Sequence, residues 1–195
     1  MRSLYVFGWL ITAACARQAP QPADSKSPDL EVYAAVLDSM FAPGPVSRYS
    51  RIAVVESTEV FKRENSKALI ESLIKLPQVD STAARDLATR SYEAHSLKSI
   101  AVLHLRMPVI LLGHSSLDSL PRPDPDEYWT EFYRRFPNTN GLISLSAIGY
   151  SASGTIGVLM VDVGCGSLCG NGYIVVVKRD RDKWHIAHIE NTWVS

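Results

Sequence analysis

The sequence predicts an α+β domain in which N-terminal helices pack on a C-terminal antiparallel β-meander. Apolar residues at helical spacing dominate the chain up to residue 136, whereas apolar or alternating segments separated by short turns fill the remainder. Short connections between consecutive strands are typical of antiparallel pairing. We therefore expect helices first and a meander last, with the helices packed on one face of the sheet.

The first 15 residues have the pattern of an export signal. A basic residue precedes an apolar run over residues 4–11, which is too short for a spanning helix of roughly 18 to 20 residues. Thr12-Ala13-Ala14-Cys15 resembles the lipobox of bacterial lipoproteins, although Thr12 stands where a lipobox usually has Leu. Ala14-Cys15-Ala16 also fits an ordinary signal peptidase site. Both possibilities stay open, and the lipobox is favoured, which makes Cys15 the predicted lipid attachment site.

The next segment separates the signal from the folded part of the chain. Residues 16–27 are rich in proline and polar residues and leave little to bury, so they predict a flexible tether. Residues 28–195 are then long enough for a single α+β domain with its own core. A tether directly after an acylated cysteine would hold such a domain clear of a membrane surface.

Charge and location restrict the kinds of partner. The chain has 20 basic and 20 acidic residues, a formal net charge of +0, and no basic stripe that would favour nucleic-acid binding. We expect a lipoprotein of the bacterial cell envelope, held at the outer membrane by palmitate or a similar chain on Cys15 and facing the periplasm. A soluble periplasmic or secreted protein is the alternative. The protein or small-molecule partner is not predicted.

Local start and stop signals mark the elements of the predicted helical part. Ser27 at the N-cap and Pro28 at the first position predict a helix whose apolar face recurs to Phe41, and Pro43-Gly44-Pro45 ends it. Residues 51–57 predict a strand, and residues 100–112 predict another that Pro108 interrupts. Further helices are predicted over residues 66–76, 82–95 and 126–136. Asp80-Ser81 is the predicted cap of the second of these helices. The third carries an aromatic stripe that is typical of core packing.

The predicted meander comprises strands over residues 142–150, 155–164, 172–179 and 184–194. Residues 156–163 are apolar on both faces, which favours a central position in the sheet. Glycines at 164, 166, 170 and 172 predict a seven-residue loop between the two central strands, with a backbone that kinks or visits positive φ.

One stretch resembles a known group of proteins. The sequence Cys165-Gly166-Ser167-Leu168-Cys169-Gly170-Asn171-Gly172-Tyr173, with the aromatic segment from Trp129 and with Trp184, resembles an uncharacterised family of bacterial exported proteins or lipoproteins that share a C-terminal CGxLCGxGY hairpin. The resemblance covers the chain from Trp129 onward. It implies an envelope location and a shared hairpin, but no activity and no catalytic residue.

The two hairpin cysteines can be either a redox pair or a structural disulfide. Redox sites of the thioredoxin type use C-x-x-C at a helix N-terminus, whereas Cys165 and Cys169 have the spacing C-x-x-x-C between strands. An exported protein meets an oxidising compartment, and Cys15 is either acylated or removed. A structural bridge between Cys165 and Cys169 is therefore favoured.

Several familiar catalytic and metal-binding patterns are incomplete. Gly113-His114-Ser115-Ser116-Leu117 resembles a nucleophile elbow around Ser115, but Leu117 replaces the required final glycine. His185 and His188 lie three apart on a predicted strand, so they point to opposite faces and do not predict a shared metal. The glycines at 164 and 166 lack the third glycine and the helix of a phosphate-binding turn. We expect no cofactor and no metal.

Two classes of function remain: a binding or accessory module of the envelope, and an envelope hydrolase with a non-standard site. The broken patterns identify no catalytic residue and favour the first class. A cleft that gathers Glu56, Glu59 or Asp162 with strongly perturbed pKa values would favour the second.

Overall fold

The computed structural model describes residues 27–44 and 49–195. The predicted signal, the lipid attachment site Cys15 and the tether up to residue 26 lie outside the described residues. The helices within the described part are α1 (Pro28–Met40), α2 (Ser66–Leu73), α3 (Ser81–Arg90), α4 (His114–Asp118) and α5 (Pro125–Arg135). The strands are β1 (Arg51–Val55), β2 (Val109–Leu112), β3 (Thr139–Leu145), β4 (Gly149–Tyr150), β5 (Ile156–Gly166), β6 (Cys169–Asp180) and β7 (Lys183–Val194).

The seven strands described form one mixed sheet in the order β2-β1-β3-β5-β6-β7, with β4 paired to β5. The α+β class is confirmed, and β5, β6 and β7 form the expected antiparallel meander. The sheet extends beyond the predicted meander, because β1 pairs in parallel with both β2 and β3. Long helical connections lead from β1 to β2 and from β2 to β3, and such crossovers are what parallel pairing requires.

Helices cover both faces of the sheet, so the prediction that they pack on one face is wrong. Alternate residues of β5 point to opposite faces. Val161 belongs to the core with α1, and Val158 belongs to a second core with α2 and α3. The aromatic face of α5 packs on the same side as α2 and α3, where its fully buried Phe132 meets Ala53 and Leu142.

Local signals explain where the helices begin and end. Pro28 lies at the start of α1, as predicted, and Ser27 precedes it without a side-chain cap bond. The predicted cap of α3 is confirmed, since the Asp80 carboxylate accepts from the backbone N–H groups of Thr82 and Ala83 at 2.9 and 2.8 Å. None of the helices in the described part is long and apolar enough to cross a membrane.

A half-buried ion pair holds the start of α1 against α3 and β4. The Arg90 guanidinium donates to the Asp29 carboxylate at 2.6 Å and to the backbone carbonyl of Ile148 at 2.7 Å. The Tyr150 hydroxyl donates to the same carboxylate at 2.9 Å. Because each charged group has several partners, the pair fixes the helix position instead of leaving a buried charge unsatisfied.

The cysteine hairpin is tighter than the sequence predicts. Strands β5 and β6 continue to Gly166 and Cys169, which pair with each other, and only Ser167 and Leu168 form the turn. The prediction of a seven-residue loop is therefore wrong. Cys165 and Cys169 lie at disulfide distance, with Cα atoms 5.0 Å apart, as the predicted bridge requires.

The hairpin glycines do not have the predicted positive φ. Among the glycines that the structure describes, positive φ occurs at Gly141 and Gly154. The hairpin glycines instead make room for aromatic rings. A Cβ at Gly164 would lie 3.0 Å from the ring of Trp129, and a Cβ at Gly172 would overlap the indole of Trp193. The alternative prediction of a kink agrees with the irregular register between Gly164 and Gly166, and Gly164 and Gly172 also have a spatial role.

Candidate functional site

A cleft of about 770 Å³ opens where the three parallel strands end. The chain leaves β1 to form β2 on one side and later returns to form β3 on the other side, so the connections diverge at β1. Ligands of open parallel sheets bind at such a switch point, outside the carboxyl ends of the strands. The cleft is lined by Val55, Ser57, Thr58, Glu59, Val60, Ala94, His114, Leu117, Asp118, Arg122, Pro125, Tyr128, Trp129, Leu142 and Ser144.

Backbone pairing brings three polar side chains to the floor of the cleft. The Glu59 N–H donates to the carbonyl of Leu145 at 2.9 Å, which holds the segment after β1 along β3. Ser144 of β3 is the register partner of Asp162 of β5, so their side chains share one face of the sheet. The Ser144 hydroxyl donates to the Glu59 carboxylate, and Glu59 and Asp162 are hydrogen-bonded to each other.

Glu59 and Asp162 form a carboxyl pair that favours retention of one proton. Burial raises the pKa of Glu59, and the negative charge of Asp162 raises it further. Burial also raises the pKa of Asp162, but hydrogen bonds from Trp193 and Glu59 oppose that rise. The pKa values of both carboxyl groups are therefore raised, and in Asp162 the two hydrogen bonds oppose the rise.

Trp193 of the edge strand β7 also hydrogen-bonds to the carboxyl pair. Its indole N–H donates to Oδ1 of Asp162 at 2.9 Å. The ring lies over Gly172 of β6, where any side chain would occupy the same space. Asp162 is not among the cleft-lining residues, whereas Glu59 is. Glu59 is thus the member of the pair that a ligand could reach.

A serine and a histidine meet at another part of the cleft lining. Ser57 follows β1 and His114 follows β2, and the parallel register of Val55 with Leu112 brings these strand ends together. The Ser57 Oγ and the His114 Nε2 are 3.1 Å apart. The intervening Gly113 lies against the Glu56 carboxylate, which a Cβ would approach to 2.9 Å.

The aromatic residues of α5 divide between core and cleft. Phe132 is fully buried, which confirms the predicted core role of the stripe. Tyr128 and Trp129, an edge-to-face pair 5.3 Å apart, are only partly buried and line one wall. An ion pair between Arg122 and Asp118 lies in the same lining. The cleft therefore offers an apolar aromatic wall opposite polar groups.

The other residues that the sequence suggests for redox, nucleophilic or metal chemistry lie outside the cleft lining. Neither Cys165 nor Cys169 lines the cleft, and Ser115 is exposed beside it. His185 lies 3.5 Å from the Asp180 carboxylate and His188 lies 3.4 Å from that of Glu190. Across residues 27–44 and 49–195, no group of three or more His, Cys, Asp or Glu side chains could hold a metal ion.

No family model matches this chain, and no curated protein or solved structure shows significant similarity to it. The resemblance of the cysteine hairpin to a family of exported proteins therefore stays a prediction.

Proposed function

We propose that the cleft is the active site of an envelope hydrolase in which Glu59 donates and accepts a proton. The observation that carries this proposal is the hydrogen-bonded Glu59–Asp162 pair at the floor of a cleft large enough for a small molecule. A carboxyl group whose pKa is raised toward the working pH is suited to general acid–base catalysis. The pKa values of Glu59 and Asp162 are both raised, which is the direction that brings a carboxyl group closer to the working pH of a hydrolase.

The surroundings of the pair support a division of roles. Trp193 stabilises the charge on Asp162, which in turn holds the proton on Glu59. Ser144 fixes the Glu59 carboxyl over the floor. Glu59 would exchange its proton with a bound substrate, and Asp162 would keep Glu59 protonated between turnovers. If the pair served only stability, apolar residues of similar volume could replace it at little cost in the free energy of unfolding.

The location proposed for this activity is the outer membrane, on the periplasmic side. Acylation of Cys15 would supply the anchor, and residues 16–27 would supply the tether. The lipobox-like sequence around Cys15 supports this part of the proposal.

A binding or accessory module is the second candidate, and the wall of the cleft favours it. Tyr128 and Trp129 present partly exposed rings on which a ring-bearing ligand could stack. The Glu59 carboxyl is hydrogen-bonded inward to Asp162 and Ser144. In a binding module this pair would contribute only shape and a hydrogen-bond donor.

Substitution of Glu59 separates the two candidates. Hydrolysis of 4-nitrophenyl esters, phosphates and glycosides is measured for the full chain and for Glu59→Gln, which keeps the shape of the carboxyl. We expect turnover of at least one class and a loss of roughly 100-fold or more in the variant. Glu64→Gln, an exposed change outside the cleft lining, is the control.

The proton itself can be observed without a substrate. A ¹³C NMR titration of the labelled carboxyl groups should show a raised pKa for Glu59, and Asp162→Asn should change that pKa. Ordinary pKa values for both carboxyl groups, or ligand binding without turnover in the panel, would favour the binding module.

A further inference from the structure

The cleft contains a second reactive pair besides the carboxyl groups. The Ser57 Oγ lies 3.1 Å from the Nε2 of His114, and both side chains line the cleft. A hydroxyl within hydrogen-bond reach of an imidazole is the arrangement that activates a serine as a nucleophile. No sequence motif links the two residues, because 57 positions separate them.

The backbone holds Ser57 in a fixed position. On one side of Ser57, the backbone N–H of Glu56 donates to the carbonyl of Leu112 at 3.0 Å, and the Glu56 carbonyl accepts from the N–H of Leu97 at 2.8 Å. On the other side, the N–H of Thr58 donates to the carbonyl of His95 at 2.9 Å. Ser57 is therefore clamped between neighbouring segments on both sides. Reactive groups are positioned more precisely on such hydrogen-bonded segments than on free loops.

His114 is placed by the tight packing before it. Gly113 lies against the Glu56 carboxylate, which a Cβ at residue 113 would approach to 2.9 Å and would have to displace. The ring of His114 then reaches Ser57, whereas the adjacent Ser115 is exposed and outside the lining. The histidine of the elbow-like sequence thus serves a serine from another strand end.

We propose that Ser57 is a nucleophile activated by His114, and that the cleft hydrolyses a small ester with an apolar or aromatic group. This inference rests on the proposed function and names its reaction class. The partly buried rings of Tyr128 and Trp129, together with Leu142, offer the apolar surface for that group. The Glu59 carboxyl belongs to the same lining, two residues from Ser57 along the chain.

Ester hydrolysis through Ser57 needs no reagent besides the ester and water. The Ser57 Oγ bonds to the ester carbonyl carbon while its proton passes to Nε2 of His114. The bond from that carbon to the alcohol oxygen then breaks, and His114 returns the proton to the departing alcohol. Water next attacks the acyl-serine and gives a proton to His114, which passes it to Ser57 as the acid leaves.

Covalent labelling tests the nucleophile directly. The full chain is treated with diisopropyl fluorophosphate and digested, and the modified serine is located by mass spectrometry. We expect the label on Ser57, its absence in Ser57→Ala, and strongly slower labelling in His114→Ala. Ser115→Ala, which changes an exposed serine next to His114, should label as the unsubstituted protein does. Modification of another serine, or none, would overturn the inference.

Hydrolysis of 4-nitrophenyl butyrate distinguishes this inference from the proposed function. We expect Ser57→Ala to lower kcat/KM by about 100-fold or more with the thermal midpoint retained. If Glu59→Gln abolishes hydrolysis while Ser57→Ala does not, the hydrolase stands and the serine mechanism fails. If Ser57 is labelled and essential while Glu59→Gln is fully active, the nucleophile stands and the role of Glu59 fails.

Discussion

Gly172 has an effect on the site although it carries no side chain. Trp193 occupies the space over this glycine and from there donates to Asp162. The sequence predicted a glycine that kinks the backbone, but it did not predict one that leaves room for a ring. The two roles look alike in a sequence, because the partner ring lies on another strand and no local spacing links it to the glycine.

Substitution of Gly172 by Ala tests this spatial role. The new Cβ displaces the indole of Trp193, so we expect a loss of about 1 to 3 kcal/mol in the free energy of unfolding. The pKa of Asp162 should also rise, because the Trp193 hydrogen bond opposes its increase. Urea unfolding and carboxyl NMR measure the two effects.

Gly44→Ala is the matched control, since nothing lies within 4 Å of a Cβ at that position. It should change stability by less than about 0.5 kcal/mol. Equal effects of the two substitutions would contradict a specific contact between Gly172 and Trp193.

The carboxyl pair also predicts how stability depends on pH. Because the folded-state pKa of Glu59 is raised above its ordinary value of 4.5, the folded chain binds more protons than the unfolded chain above that value. Stability from this group is fully present below pH 4.5 and is lost as the pH rises through the raised pKa. Asp162, with an ordinary value of 3.8, acts in the same direction.

Urea unfolding between about pH 4 and about pH 8 measures this dependence. Glu59→Gln should remove part of the loss of stability at the upper end of the range, whereas the exposed change Glu64→Gln should not. Identical pH profiles for Glu59→Gln and the unsubstituted protein would show that Glu59 titrates normally.

Among the elements, the cysteine hairpin makes the clearest prediction. A bridge between Cys165 and Cys169 closes a short loop, so the chain-entropy model predicts a contribution of about 2 kcal/mol. Replacing both cysteines by Ala should lower Tm by roughly 4 to 8 °C without unfolding the domain. Differential scanning calorimetry measures this, and non-reducing peptide mapping should show the intrachain pair.

A redox role for this pair predicts a different outcome. The double variant would then keep its stability but lose an activity, and the unsubstituted protein would cycle between thiol and disulfide. The bridge lies outside the cleft lining, so a structural bridge predicts that cleft chemistry survives its removal.

The elements with strong local signals were the most predictable from the sequence. The proline at the start of α1 and the Asp80 cap of α3 are local in sequence, and both lie where predicted. Residues 100–112 were less predictable, because Lys98–Val102 forms a 3₁₀ turn and only Val109–Leu112 forms a strand. The parallel pairing of β1 could not be predicted, since it depends on contacts between distant segments.

The predicted lipid anchor on Cys15 has a simple test. If Cys15 carries the lipid, Cys15→Ser should move the protein from the membrane fraction to the soluble fraction, because the chain is then without its acyl chains. Immunoblotting of the separated fractions measures this. An unsubstituted protein that is already soluble, with its N-terminus at Arg17, would favour ordinary signal peptidase cleavage instead.

The site could be predicted only in part. The sequence offers Glu59 and Asp162 only as conditional candidates, because their pairing depends on the register of β3 with β5 and on the segment after β1. Ser57 and His114 were not predicted as partners. The signal that could have found them is a polar residue directly after each of two apolar strands, at ends that parallel pairing brings together.

The sheet joins two parts that differ in how far apart their strands lie along the chain. Two-residue turns connect β5 to β6 and β6 to β7, whereas β1, β2 and β3 must close long connections before they pair. Because long loops close slowly, we expect the meander to fold first and the parallel strands last. Asp162 belongs to the early part and Glu59 to the late part. At a pH between the unfolded-state and folded-state pKa values of these two carboxyl groups, the chain should therefore take up a proton from solution as the final event of refolding.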